Sequence, residues 1–269
     1  MIKITGPKTP PAILNSIALK KFRNESEQFF KQRSPHSQEQ VPWPNYSIVN
    51  KVLQALSKIY HHKCAYCETP LDITGMTFDH FRPAKFARGL NKEYSEKHYW
   101  WLAFRWQNIL LSCQACNKAK SSWFPVKGSR APVKSTMAHI KKENALLVDP
   151  TIDNPRLHLR FDNAGKVVAN NERGATTIEI LQLNRKDLIE KRIASTKDLE
   201  GDIQKLITLK ASEYKFHLKL ILIKLINIFG EQKNVEPYLG YKRSLFYDLT
   251  NQPKIYQVLF QPKGILITG

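Results

Sequence analysis

Two short cysteine pairs set the strongest limit on what this chain can fold into. Cys64-Ala-Tyr-Cys67 and Cys113-Gln-Ala-Cys116 hold all four cysteines of the 269-residue sequence. Each pair places two thiols on a tight knuckle, and two knuckles together offer the four thiolates that a tetrahedral zinc ion takes. Four thiolates leave zinc no open position, so this ion is expected to hold structure and not to carry out hydrolysis. Redox use of Cys64 and Cys67 would need a thioredoxin-like setting that is absent. Paired C-x2-C thiols fit a reducing cytoplasm better than a disulfide framework.

The stretch contains more than a staple requires. Asp79 and His80 lie between the pairs, Asn108 follows Trp106-Gln107, and Asn117 stands directly after Cys116. Hydrolysis of a phosphodiester needs a base for the attacking water and positive charge against the phosphate. His80 offers an imidazole that titrates near neutrality, while Asp79 and Asn117 offer oxygen donors suited to Mg2+ or Mn2+. Neighbouring residues of a regular strand face opposite ways, so the strand is expected to end or bulge at Asp79-His80. An Asp-His pair in isolation is ordinarily a plain polar pair; the position of this one recommends chemistry. His61, His62, His98, His139, His158 and His217 lack such company and read as ordinary residues, with His62 the nearest to the knuckle.

The formal net charge is +19, divided as +6, +6 and +7 over residues 1–59, 60–130 and 131–269. An excess spread through a folded chain points to a polyanion, most commonly nucleic acid; a merely basic soluble protein is the plainer alternative. The hydrophobic content of 42% suffices for a sizeable core. No apolar h-region marks a signal peptide. The most apolar run, residues 216–229, is interrupted by Lys219, Lys224 and Asn227, short of a transmembrane span. A cytoplasmic protein with no membrane partner is the expectation.

Apolar spacing predicts helices over about residues 16–32, 47–61, 176–183 and 212–229, the last closed by Gly230. A long charged helix is predicted over 184–210, capped by Asn184 and broken near Gly201. Strands at 76–81 and 109–112 with a helix at 114–123 give the order strand, strand, helix, stapled by zinc. Further strands are predicted at 145–148, 255–260 and 264–268, and a hairpin at 157–161 and 166–169 around Asp162-Asn-Ala-Gly165. Residues 1–12 read as an extended arm and 34–44 as a loop. The aromatic run from Tyr99 through Trp100, Trp101 and Phe104 to Trp106 is either a base-stacking platform or, more often at this spacing, core. The fold class is α+β, a zinc-stapled ββα core at 60–128 in a largely helical protein. An arm and helices at 1–59 precede the core, and a mainly helical region at 129–269 follows it.

Cys64-x2-Cys67, Asp79-His80-x2-Pro83, Asn108 and Cys113-x2-Cys116-Asn117-x2-Lys120 together resemble the four-cysteine HNH endonucleases of the ββα-metal class. The wider wording is similar to a narrower branch, the PtuB-type HNH effector of Septu and retron anti-phage systems. It comprises Lys63-Cys-Ala-Tyr-Cys-Glu68, Asp79-His-Phe-Arg-Pro83, Tyr99-Trp-Trp-Leu102 and Trp106-Gln-Asn108. Asn154-Pro-Arg-Leu-His-Leu159 and Thr177-Ile-Glu-Ile-Leu-Gln-Leu-Asn-Arg185 extend the likeness over most of residues 1–200.

The resemblance implies a metal-dependent nuclease with His80 as general base, Asp79 and Asn117 holding one catalytic Mg2+ or Mn2+, and Asn108 bracing the loop behind the histidine. Asn117 stands where many relatives carry histidine, an exchange that should leave metal binding intact. Arg82, Lys85 and Lys120 are implied phosphate contacts. Also implied is a PtuA-type ATPase that binds and restrains the nuclease, and in retron systems a reverse transcriptase with its reverse-transcribed DNA. The C-terminal helices are either the docking surface for that partner or simple packing. A zinc-stapled nucleic-acid-binding module without catalysis is the competing reading, and it would not require Asp79, His80 and Asn117 together. DNA, messenger RNA and transfer RNA present the same phosphodiester, so the target class stays open.

Overall fold

Two helices carry the chain to the first cysteine knuckle in the computed structural model, which describes residues 1–6, 9–32, 42–209, 211–230 and 235–260. They are α1 (Ile17–Gln32) and α2 (Tyr46–Ile59). Helix α2 begins where the Asn45 side chain accepts from the Ile48 N–H at 3.1 Å, and it buries Val52 and Leu56. Next come β1 (Met76–His80), the short hairpin β2 (Ala87–Arg88) and β3 (Tyr94–Ser95), β4 (Ile109–Cys113) and α3 (Gln114–Lys120). Strands β1 and β4 pair antiparallel in unbroken register from Met76 opposite Cys113 to His80 opposite Ile109. Every residue of β4 is buried, because α2 and α3 both pack on this strand pair.

The second half adds α4 (Met137–Ile140), the hairpin β5 (Leu159–Phe161) and β6 (Val167–Ala169), and α5 (Glu172–Ile180). It closes with α6 (Lys186–Ala194), α7 (Lys197–Thr208), α8 (Ala211–Phe229), α9 (Leu239–Thr250) and α10 (Pro253–Phe260). Two apolar cores result. The larger joins the N-terminal helices, the cysteine region and the chain as far as Leu188, together with Tyr238 and Tyr241; the smaller is formed by α7 to α10 around Ile203, Ile221, Leu239 and Ile255, together with Ile2. The chain is therefore α+β.

Several expectations change. Residues 255–260 form part of helix α10 instead of a strand; Pro253 sets its first turn, and Ile255 and Leu259, four apart, share the smaller core. The strand expected at 264–268 lies outside the described residues. Residues 145–148 contribute one bridge, Ala145 to Val126, and no strand. The long helix breaks at Ser195-Thr196 and not near Gly201, because both hydroxyls turn back to carbonyls of the preceding turn, Arg192 and Ile193. Arg185 and not Asn184 stands at the N-cap of α6. Asn184 instead grips the Val167 backbone, accepting at 2.7 Å and donating at 2.8 Å. Helix α5 starts before residue 176, since the Asn171 side chain caps it by accepting from the Gly174 N–H. Tyr99, Trp100 and Phe104 of the aromatic run are buried in the core, within short 3-10 turns and loops.

Gly174 is where α5 meets the β5–β6 hairpin. A Cβ at this position would stand 2.1 Å from the His158 carbonyl oxygen, a backbone atom that cannot swing aside. Gly174→Ala is expected to lower stability by about 1–3 kcal/mol, read as a fall in the urea midpoint with an unchanged m-value.

Candidate active site

The end of α2 turns through Lys63 into the first knuckle, and β4 runs directly into the second. Cys64, Cys67, Cys113 and Cys116 are all buried and unpaired by disulfides, and their sulfurs lie within 4.8 Å of one another. A tetrahedral ion with Zn–S bonds of ~2.3 Å would hold sulfurs ~3.8 Å apart; Cys67 and Cys113 sulfurs are 3.7 Å apart. The donor set fits a structural zinc. Cys113 is also the N-cap of α3, its sulfur accepting from the Cys116 N–H at 3.4 Å. The same atoms that would bind the metal thus start the helix that carries Asn117.

Strand β1 ends at His80 without a bulge, so Asp79 and His80 keep their alternation. Asp79 turns inward. Its carboxylate accepts from the Tyr66 hydroxyl at 2.5 Å and pairs with Lys120 at 3.1 Å. Burial raises the Asp79 pKa, opposed by the Lys120 charge and the Tyr66 hydrogen bond. Burial likewise lowers Lys120, opposed by Asp79. Lys120 Nζ also donates to the His80 carbonyl at 2.7 Å, tying the end of α3 to the end of β1.

His80 turns the other way, into rings of Trp43, Phe78 and Phe104 whose centroids lie 5.5–5.7 Å from its own. Its Nε2 is shut from solvent without a hydrogen-bond partner. Burial, and then the Lys120 charge, hold its pKa down to about 3, so the imidazole is neutral at physiological pH. Asn117 gives its amide nitrogen to Thr77 Oγ1 at 3.0 Å and to the Phe78 carbonyl at 3.3 Å. Those bonds use the nitrogen and leave the carbonyl oxygen for a ligand. His80, Asp79, Asn117 and Lys85 all line one cleft of about 230 Å3.

Asn108 is 1% exposed. Its side chain accepts from the Arg82 N–H at 2.8 Å and donates to the carbonyls of Arg82 and Leu102. It clamps the turn that follows His80 to the aromatic segment. Of the three basic side chains expected at phosphates, Lys85 is exposed at the cleft. Arg82 is turned into the protein, on Glu143 at 2.8 Å, the Ile140 carbonyl and the Phe124 ring. Lys120 is fully buried on Asp79. His62 is exposed and stands outside the sulfur cluster.

Arg185 is the residue that motif reading quoted without assigning a task. Its guanidinium donates to the sulfurs of Cys116, Cys67 and Cys113 at 3.6, 3.7 and 3.9 Å. Burial works against that charge, but the Cys116 and Cys67 sulfurs raise its pKa. Tyr66, inside the first C-x2-C pair, is the second residue without an assigned task; only its contact with Asp79 reveals one.

Comparison with known proteins finds two relatives from Bacillus mycoides (strain KBAB4). "Septu protein PtuA" is 31% identical over 194 residues, 71% of this chain and 27% of that protein. "Septu protein PtuB" is 30% identical over 213 residues, 74% of this chain and 68% of that protein. "Septu protein PtuB" of Bacillus thuringiensis is 28% identical over 160 residues, 57% of this chain and 49% of that protein. The chain thus spans about a quarter of the first relative and two thirds of the second. No protein-family model and no solved structure matches the chain. Among the described residues, no helix is long and apolar enough to cross a membrane.

The sulfur cluster makes a measurable demand. Purified protein should contain one zinc per chain by elemental analysis. Cys116→Ser should lose that zinc and unfold at markedly lower temperature, because structural zinc contributes about 10 kcal/mol or more to folding.

Proposed function

The chain belongs to the Septu PtuB family, and from that premise we propose that it is a metal-dependent HNH endonuclease acting in anti-phage defence. The observation that supports this reading is the cleft in which His80, Asn117, Asp79 and Lys85 meet, on a strand pair and helix closed by four cysteines. The order of β1, β4 and α3 is that of the ββα-metal class named by the sequence resemblance.

In this reading Asn117 and the Asp79 carboxylate hold one Mg2+ or Mn2+, both being hard oxygen donors. The bound ion supplies positive charge against the phosphodiester. His80, kept neutral by its apolar surroundings, accepts the proton of the attacking water. Lys120 opposes the rise that burial imposes on the Asp79 pKa. Asn108 holds the turn behind His80, so the imidazole cannot drift from the cleft. Lys85 meets the phosphate of the incoming strand. The substrate is nucleic acid, DNA or RNA, with transfer RNA among the candidates; the +19 charge favours such a polyanion.

A binding module without catalysis remains a distinct reading, favoured by one observation: Tyr66 and Lys120 already occupy the Asp79 carboxylate. His80→Ala separates the two. With Mg2+ or Mn2+, wild-type protein should cut plasmid DNA, single-stranded DNA or cellular RNA. The variant should lose at least about a hundredfold in rate while keeping its circular dichroism and its nucleic-acid affinity. Undiminished cutting by the variant would overturn the nuclease assignment.

The partner in this proposal is a PtuA-type ATPase, and in a retron setting a reverse transcriptase with its DNA. Helix α8 offers a surface for the ATPase: Phe216 and Ile226 are 63% and 66% exposed, and Leu220 and Ile223 are exposed between them. An apolar stripe of that kind on a soluble protein ordinarily meets another protein. Phe216→Glu with Ile226→Glu should abolish co-purification with the ATPase and leave metal-dependent cutting by the isolated chain unchanged.

A further inference from the structure

A second cleft lies against α1, where Arg23 reaches the Phe104 carbonyl. It encloses about 580 Å3 between α1, the aromatic segment and residues 134–137, a size that suits a small ligand. Of its cations, Arg23 and Arg105 have no carboxylate partner among the described residues. Arg23 donates through Nη2 to the Leu14 and Phe104 carbonyls at 2.6 and 3.0 Å, yet its buried Nε has no partner. Arg105 is exposed beside it. Ser26 is only 4% exposed, lines the cleft, and its hydroxyl is also unpartnered. Buried polar atoms are rarely left unsatisfied without a ligand or water to meet them. The one acidic group of the lining, Glu27, is already neutralised by Lys31 and Lys134.

We propose that this cleft binds a nucleotide, its phosphate held by Arg23, Ser26 and Arg105 and its base laid against Trp101. Arginine forks favour phosphate oxygens, and an aromatic wall accepts any base by stacking. Burial, and then the neighbouring Arg105 charge, lower the Arg23 pKa, as expected of a cation that lacks an anion. The Phe104 carbonyl accepts from Arg23 while its ring stands 5.7 Å from that of His80, so one residue links this cleft to the histidine. The nucleotide is either free or a residue of a single strand; the phosphate and base chemistry is the same for both.

The test does not depend on the nuclease assignment. Full-length His80→Ala protein, without added divalent metal, is titrated with AMP, ATP and a short oligothymidylate, following heat and tryptophan fluorescence. Saturable binding is expected, weakened about tenfold or more by Arg105→Ala and unchanged by Lys186→Ala, which removes an exposed charge elsewhere. Trp101→Leu should weaken the fluorescence response and the affinity together. AMP or ATP binding at least as tightly as the oligonucleotide identifies a free nucleotide; Arg105-dependent binding of the oligonucleotide alone identifies a strand. Absence of saturable binding by all three probes, or equal affinity in Arg105→Ala, overturns the proposal.

Discussion

The approach of four cysteine sulfurs to within 4.8 Å joins two knuckles that are far apart in the chain, and the geometry of the cleft depends on it. Cys113 both contributes a sulfur and caps α3, so closing the cluster sets the direction of the helix on which Asn117 and Lys120 ride. Arg185 then brings a cation from the far side of the β5–β6 hairpin onto three of the sulfurs. A zinc tetrathiolate carries net negative charge, and a guanidinium at that distance offsets part of it. Since whole domains are stable by only about 5–15 kcal/mol, a structural zinc, which contributes about 10 kcal/mol or more where it binds, would decide whether the knuckles fold.

The period of a β-strand imposes the second constraint. An unbroken register through Asp79 and His80 sends one side chain inward and the other outward. Asp79 is therefore a buried carboxylate that needs compensation, and Lys120 with Tyr66 provides it. Such a buried pair contributes little net stability against its desolvation, but it fixes the end of α3 against β1. His80, in its pocket of rings, is held neutral by the same exclusion of water that makes Asp79 costly to bury. One structural decision, the regular strand, thus produces both a positioned carboxylate and an uncharged imidazole.

The two cores divide the work of the chain. The larger core holds the cysteine cluster and the cleft, with α2, β1 and β4 packed as a single body. The smaller core, α7 to α10, stands apart from the cleft residues and exposes an apolar stripe on α8. The two cores adjoin at α9, with Leu239 in the smaller and Tyr238 and Tyr241 in the larger, and at the first residues, with Ile2 in the smaller and Met1 in the larger. Helix α8 is therefore linked to the cleft half of the chain through α9.

Local chemistry was legible in the sequence. The C-x2-C spacing marked the sulfur cluster, the apolar period marked α1, α2 and α8, alternation marked β1, and the turn Asp162-Asn-Ala-Gly165 marked the β5–β6 hairpin, because these signals depend on residues near one another in the chain. Asp79, His80 and Asn117 were legible as a set by their place around the cysteines. What the sequence left open was where long side chains end. Arg82, Lys85 and Lys120 read alike as cations, and only packing sent Arg82 to Glu143 and Lys120 to Asp79 while leaving Lys85 at the cleft. The helix over residues 253–260 was decided by a core built from distant helices, where the sequence had suggested a strand at 255–260. Arg185 and Tyr66 acquired their places for the same reason. Their partners lie on segments that spacing cannot relate, and the meeting of those segments is a property of the folded chain alone.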